Sequence, residues 1–255
     1  MFLLFFIIGL GGADFYCLAA FWQLEMIQIF GPDAYGVARI LTPFGIAFLV
    51  GIFFSGWAID LTRGRIREIF LITSAMMTAG IGGLLALTLT SDQLTMALSF
   101  IGMFGVGALF IPPIIVLTTV VPEQTIGTII GLAVSFRLII GQVGFTLMFN
   151  LLHQNLTAQL PSLVETAVVK AGLPKTEIFA FIEYLLTGNN VGLISLRPTP
   201  PVLAAAYEAV SEGYLSSFPV VYYCGIGIGS ATVIASALLP NIRKYLTERV
   251  VVDIH

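Results

Sequence analysis

Long apolar runs alternate with short polar segments along most of the chain. Six runs are long enough to cross a bilayer as helices, which takes roughly 20 mostly apolar residues. They lie at 2–30, 36–60, 68–90, 94–120, 126–152 and 214–240. The pattern predicts an all-α integral membrane protein with six transmembrane helices, five of them within residues 1–152.

The composition fits a protein whose solvent is lipid. Hydrophobic residues make up 58% of the chain and charged residues 10%, against about 45–50% and 25% in soluble domains. A net charge of −3 gives no attraction to nucleic acid, so none is expected as a partner. Cys17 and Cys224 both fall inside predicted spans and cannot form a zinc cluster. No metal and no cofactor is expected.

Basic residues cluster in two short segments that set the orientation. One group follows the second span and the other follows the sixth: Arg63, Arg65 and Arg67, then Arg243, Lys244 and Arg249. Cytoplasmic segments are enriched in Lys and Arg, so both groups, the N-terminus and the tail 241–255 are predicted to be cytoplasmic. Residues 153–213 are then an extracellular loop, and the plasma membrane is the expected location.

The predicted outer loop carries its own helical patterning. Prolines divide it, and 163–171, 178–186 and 202–214 show helical apolar spacing. Short amphipathic helices are therefore expected there. The sequon Asn155-Leu156-Thr157 is a glycosylation candidate a few residues beyond the predicted membrane edge.

The first span contains three polar side chains, Asp14, Glu25 and Gln28. Asp14 and Glu25 are 11 residues apart, close to three turns, which predicts one shared helix face and a separation of about 16 Å. Such a face can line a water-filled cavity, and its carboxylates can carry protons. The alternatives are a solvated Glu25 near the outer interface and an Asp14 that makes structural hydrogen bonds.

The fifth span contains an arginine at mid-depth. Arg137 shares a helix face with Gly141 and Gly144, where a neighbouring helix can approach closely. Its guanidinium needs an acceptor, which can be a carboxylate or an anionic group of a substrate. Gln142 and Asn150 add polar groups to the same helix and are candidates for a substrate or proton pathway.

Helix breakers and glycine pairs recur inside the spans. Pro43 with Gly45, and the pair Pro112-Pro113, are predicted to bend their helices. The pairs Gly127 with Gly131 and Gly225 with Gly229 have the spacing of helix-packing motifs.

The most specific motif follows the second span and reads GWAIDLTRGR, residues 56–65. It resembles the Gly-x-x-x-Asp-Arg-x-Gly-Arg signature of the major facilitator superfamily. The resemblance implies a charge latch between helices at a cytoplasmic gate, formed in this sequence by Gly56, Asp60, Arg63, Gly64 and Arg65. Leu61 stands where the signature has Arg, and Gly64 comes one residue late. Such a degenerate copy is typical of the second half of these transporters.

Two further segments narrow the resemblance. Residues 127–144, GTIIGLAVSFRLIIGQVG, are similar to the penultimate span of fungal fourteen-span drug:proton antiporters. The tail RKYLTERV, residues 243–250, resembles that of the trichothecene efflux and siderophore transporter branch. The implied fold is a six-helix half of a major facilitator protein.

The resemblance also implies a function. It implies proton-coupled export of small organic toxins or drugs, or siderophore transport, with the bilayer, protons and a missing N-terminal half as partners. The alternative is a truncated, non-transporting membrane module that at most pairs with a partner half. Enzymatic activity is not expected, because the only histidines, His153 and His255, lie in the loop and the tail.

Overall fold

The computed structural model describes residues 1–30, 34–62, 65–85, 92–174, 177–186, 192, 195–196 and 198–240. Every regular element within these ranges is a helix, so the predicted all-α class is confirmed. The α-helices are α1 Phe2–Tyr16, α2 Gln23–Phe30, α3 Ala34–Leu61, α4 Ile66–Leu84, α5 Asp92–Phe110, α6 Pro112–Thr118, α7 Ile126–Lys170, α8 Ile178–Leu186, α9 Pro200–Ser217 and α10 Pro219–Ala237. A π-helical segment, Cys17–Trp22, joins α1 to α2, and a 3₁₀ turn, Glu123–Thr125, precedes α7.

Five helical stretches are long and apolar enough to cross a membrane: Phe2–Ile27, Tyr35–Leu61, Gln93–Thr118, Glu123–Lys170 and Pro200–Ala237. The third predicted span corresponds to α4, which has 19 described residues. Its predicted continuation at 86–90 lies outside the described residues, as do Arg63, Gly64 and the tail 241–255.

Two helices form the centre of the bundle. α1 packs against α7, α10 and α5, while α5 packs against α3 and α4, and α10 closes onto α4. Glycines mark the closest crossings, such as α4 on α5, where a Cβ added to Gly105 would lie 2.6 Å from the carbonyl oxygen of Thr73. Without a hydrophobic force between helices in lipid, such close backbone approach holds the bundle together.

The predicted breakers and packing motifs have mixed outcomes. The helix is interrupted at Ile111, and Pro112-Pro113 begin α6, whereas α3 continues through Pro43. Gly225 packs on Cys17 and Gly229 on Thr78. The other pair, Gly127 and Gly131, has no neighbouring atom within 4 Å of an added Cβ. That pair makes no packing contact with the described residues, because its face of α7 points away from the bundle, so its packing role stays a prediction.

The described residues between 153 and 213 form a packed helical unit. α7 continues through Pro161 to Lys170 and is 45 residues long, about 67 Å, which is twice the hydrocarbon thickness of about 30 Å. Its end packs with α8 and α9 to form what we call the cap. The cap has a hydrophobic core of its own, made by Leu160, Val164, Val168, Leu173, Ile178, Phe181, Val202, Ala206 and Ala209. Only Phe218 separates α9 from α10, in α-helical conformation, so the cap continues directly into the last span.

Candidate functional site

Asp14 lies in the centre of the bundle with no exposed surface. Neither of its carboxylate oxygens has a hydrogen-bond partner among the described residues. Cys17, one turn further on, is equally buried, and an added Cβ at Gly225 of α10 would lie 2.9 Å from its sulfur. Buried polar groups normally have partners, and acids at membrane depth are usually functional. Asp14 therefore stays a candidate for chemistry rather than for structural hydrogen bonding.

The π-helical segment Cys17–Trp22 separates Asp14 from Glu25. Its extra residue rotates the helix beyond it by about 100°, so the spacing of a regular α-helix does not apply across it. Glu25 is nevertheless buried, with 3% of its surface exposed, and the hydroxyl of Tyr222 in α10 donates a hydrogen bond to its Oε2. The alternative of a solvated Glu25 is wrong.

Arg137 lies between α7 and α1, with 6% of its surface exposed. Its Nε donates to the carbonyl oxygen of Ile8 at 3.4 Å, and its Cζ lies 4.2 Å from the centroid of the Phe110 ring. Nη2 has no hydrogen-bond partner among the described residues. Gly12 makes the room, because an added Cβ there would lie 2.7 Å from Cγ of Arg137.

No described carboxylate is within ion-pair distance of Arg137. The helix geometry explains why Asp14 is not its partner. Gly12 faces α7, and Asp14 is two residues, about 200°, further round α1. The sequence predicts a carboxylate or an anionic substrate group as the acceptor for Arg137. The described residues show no carboxylate partner.

Gln142 and Asn150 are exposed on the side of α7 that faces away from the bundle. They belong to a row of exposed polar residues that we call the polar stripe: Thr128, Ser135, Gln142, Thr146, Asn150 and His153. At about 100° per residue these six fall within an arc of about 80°. The buried residues of the same part of α7 lie on the opposite side: Ala133, Arg137, Gly141, Gly144, Met148 and Leu152.

The remaining predicted site residues lie away from this core. Asp60 is exposed in the last turn of α3, and Gly56 is half-buried with no atom within 4 Å of an added Cβ. Arg65 precedes α4, and its Nη1 lies 3.5 Å from Oε2 of Glu68. Such an exposed pair contributes little stability. Arg63 and Gly64 lie outside the described residues, so the latch stays a prediction. The side chain of Gln28 also lies outside the described part of the chain, so its role in a substrate or proton pathway stays a prediction too.

Asn155 is half-buried within α7. The hydroxyl of Thr157, the third residue of its sequon, donates to the carbonyl oxygen of His153 at 2.8 Å. The sequon is therefore part of an unbroken helix and not of a loop.

Sequence reasoning missed two residues at these sites, Tyr222 and Phe110. Tyr222 lies near the start of the last span and Glu25 near the end of the first. Their similar expected depth in the membrane was the sequence signal that could have paired them. Phe110 lies just before Pro112-Pro113, and as an apolar residue in an apolar span it has no sequence feature that marks it as a site residue. Among the described residues, no three His, Cys, Asp or Glu side chains are grouped so that they could hold a metal ion.

Comparison with known proteins places the whole chain in one family. Residues 1–255 match the family of the fungal trichothecene efflux pump (TRI12). The trichothecene efflux pump TRI12 of Trichoderma arundinaceum is 25% identical over 213 residues, which is 77% of this chain and 35% of that protein. The pump of the same name from Fusarium sporotrichioides is 22% identical over 202 residues, 78% of this chain and 33% of that protein. No solved structure matches.

The chain thus spans about a third of the length of these relatives, 35% and 33%. The match covers the α1–α7 core, the cap and α10, and it confirms the resemblance to the trichothecene efflux branch. The family is named for an efflux pump, which is a transporter. The chain therefore belongs to the fungal trichothecene efflux pump (TRI12) family, an integral-membrane family of the major facilitator superfamily.

Proposed function

We propose that the chain is the C-terminal half of a secondary active transporter that exports small organic compounds across the plasma membrane in exchange for protons. Major facilitator proteins bind substrate between two six-helix repeats, and the described part of this chain has five candidate spans in addition to the 19-residue α4. The relatives extend over roughly three times the matched length. The missing half is therefore proposed as the partner that completes the binding site.

The polar stripe of α7 carries this proposal. Amide side chains facing hydrocarbon without a partner are costly, and polar residues in spans usually face a cavity or another helix. The stripe extends from Thr128 to His153, over about 38 Å, so it runs through the membrane. Its opposite side holds α7 in the bundle through Arg137, Gly141 and Gly144. A water-filled passage between the two halves would suit this stripe.

The chemistry of the stripe suggests the class of substrate. Gln142, Thr146 and Asn150 offer uncharged donors and acceptors, which suit a neutral compound with several oxygen atoms. Exposed apolar residues lie among and beside them, such as Ile139 within the same arc and Leu138 and Val143 next to it. The two relatives are named trichothecene efflux pumps, and we extend that substrate class to this chain. A siderophore is the alternative cargo.

Asp14 is the proposed coupling group within this half. It is a fully buried acid at mid-depth with no described hydrogen-bond partner, so it can gain a proton without losing a hydrogen bond. Arg137, held by a ring and a carbonyl, would contribute a fixed positive charge. Asp60, Arg63 and Arg65 are proposed to latch the cytoplasmic gate.

The test uses a full-length transporter that contains this chain and measures export of a labelled trichothecene from cells. Gln142→Leu and Asn150→Leu should each raise the KM about tenfold, because each removes a hydrogen bond to substrate. Leu147→Ile, exposed on the same helix, is the matched control. A KM unchanged in both variants would exclude the stripe, and competition by a ferric siderophore would change the cargo. No export by the wild type would support the alternative of a non-transporting module.

A further inference from the structure

The hydrogen bond from Tyr222 to Glu25 joins the first span to the last near the point where both meet the cap. Tyr222 has 1% of its surface exposed and Glu25 has 3%. Trp22, one turn before Glu25, is fully buried and stacks on Phe44 of α3, with ring centroids 4.8 Å apart and planes inclined by 22°. The Glu25 side chain is thus buried, and its carboxylate is bonded to Tyr222 of α10.

Other titratable groups around Glu25 differ in exposure. Tyr222 of α10 is buried and donates its hydroxyl to Glu25, and Cys17 of the π-helical segment is buried as well. The elements packed against α2 are α3 and α9. They carry Tyr35, Arg39, Tyr207, Glu208 and Glu212, all exposed, and Tyr214, half-buried. The buried titratable group bonded to Glu25 among the described residues is therefore the neutral phenol of Tyr222.

This setting makes the closed arrangement sensitive to the proton on Glu25. An ionised carboxylate that is shut off from water and held by neutral neighbours carries a large desolvation cost. A proton removes that cost, while Oε2 still accepts the hydrogen bond from Tyr222. Loss of the proton favours entry of water, which requires the outer ends of the two spans to separate.

We propose that Glu25 and Tyr222 form a proton-binding site that closes the first span onto the last when Glu25 is protonated and releases it when Glu25 is ionised. Tyr222 is a positioning residue, because it orients the carboxyl group. α9 packs on α2 and continues through Phe218 into α10, so the same event moves the cap. This inference rests on the proposed coupling to protons, but its test needs no transport.

Infrared spectroscopy of the 255-residue chain in lipid nanodiscs tests proton binding. ¹³C-glutamate labelling separates the carbonyl stretch of a protonated glutamic acid from that of Asp14. The wild type should show one buried, protonated glutamic acid that disappears at alkaline pH. Glu25→Gln should lose this band, and Tyr222→Phe should shift it to higher frequency, because the carbonyl loses its donor. Tyr223→Phe, exposed on the same helix, should leave it unchanged.

Spin-label distances test closure. Labels go on Ile27→Cys and Tyr223→Cys, both exposed positions, after Cys17 and Cys224 are replaced by alanine. The distance should lengthen at alkaline pH in the otherwise wild-type chain and stay short at all pH values in the Glu25→Gln background. A glutamic acid band that survives in Glu25→Gln overturns the site, and a distance independent of pH overturns the closure. Both results are independent of whether the assembled transporter exports a trichothecene.

Discussion

The guanidinium carbon of Arg137 lies 4.2 Å from the centroid of the Phe110 ring. The charge is held by an aromatic face and by the carbonyl of Ile8, with no carboxylate within ion-pair distance among the described residues. An unpaired buried charge is costly to fold around. We therefore expect Arg137 to serve transport rather than stability.

Arg137→Leu should leave the fold nearly as stable as the wild type. The variant loses a cation–π contact of about 2 kcal/mol, offset by relief of the cost of burying a charge, so the net change should stay within about 1–2 kcal/mol. Equilibrium unfolding of the purified chain in mixed detergent micelles measures it. A loss of about 3–5 kcal/mol, the effect of breaking a buried ion pair, would reveal a carboxylate partner.

The contact between α1 and α7 depends on a glycine beside that arginine. An added Cβ at Gly12 would lie 2.7 Å from Cγ and 2.9 Å from the carbonyl oxygen of Arg137, whereas at Gly11 the nearest atom is 3.9 Å away. Gly12→Ala should therefore destabilise the chain by about 1–3 kcal/mol through overpacking. Gly11→Ala, on the preceding residue of the same helix, is the matched control and should be tolerated. Equal unfolding free energies for the two variants would show that α7 can shift freely.

The helical class and most of the membrane-spanning helices could be predicted, because a bilayer forces long apolar runs into helices. The polarity of Gln142 and Asn150 inside a span was equally visible. The structure shows which side of α7 they occupy, because Arg137, Gly141 and Gly144 on the opposite side pack on α1. Gly127 and Gly131 show the limit of the motif, since the same spacing occurs on an unpacked surface.

The geometry between polar residues could not be predicted. The 11-residue spacing of Asp14 and Glu25 implies one face only in a regular helix, and nothing in Cys17–Trp22 announces a π-helical segment. Likewise, Arg137 needed an acceptor, but pairing across helices depends on which residues of α1 face α7. The cap was not predicted as a packed unit, because the predicted fifth span ends at residue 152, whereas α7 continues through Pro161 to Lys170 and packs there with α8 and α9.

Labelling in intact cells tests the orientation. With Cys17 and Cys224 replaced by alanine, Glu208→Cys in α9 should react with a membrane-impermeant maleimide, and Arg65→Cys before α4 should not. Both positions are exposed, so burial does not explain a difference. Permeabilised cells, in which both should react, provide the control. Reaction at position 65 with none at position 208 would invert the predicted orientation.

Asp14→Asn tests proton coupling within this half. Asparagine has nearly the shape of the protonated acid but cannot release a proton. A transporter that couples through Asp14 should therefore lose the ability to accumulate substrate against its concentration gradient when a pH gradient is imposed. Downhill exchange of substrate should continue, because the fold and the polar stripe of α7 are unchanged. The assay uses the full-length transporter in proteoliposomes with an imposed pH gradient, and it follows uptake of labelled trichothecene.

The control for that experiment is Ser99→Ala, a buried polar position in α5. Among the described residues the Ser99 hydroxyl donates to the carbonyl oxygen of Met96, three residues earlier in α5, at 3.1 Å, so its loss should leave coupling intact. If Asp14→Asn accumulates substrate against its gradient as well as the wild type, Asp14 is not the coupling group. Glu25 with Tyr222 is then the next site to test in this half. Pumping that also survives Glu25→Gln would assign the coupling acid to the half that this chain lacks.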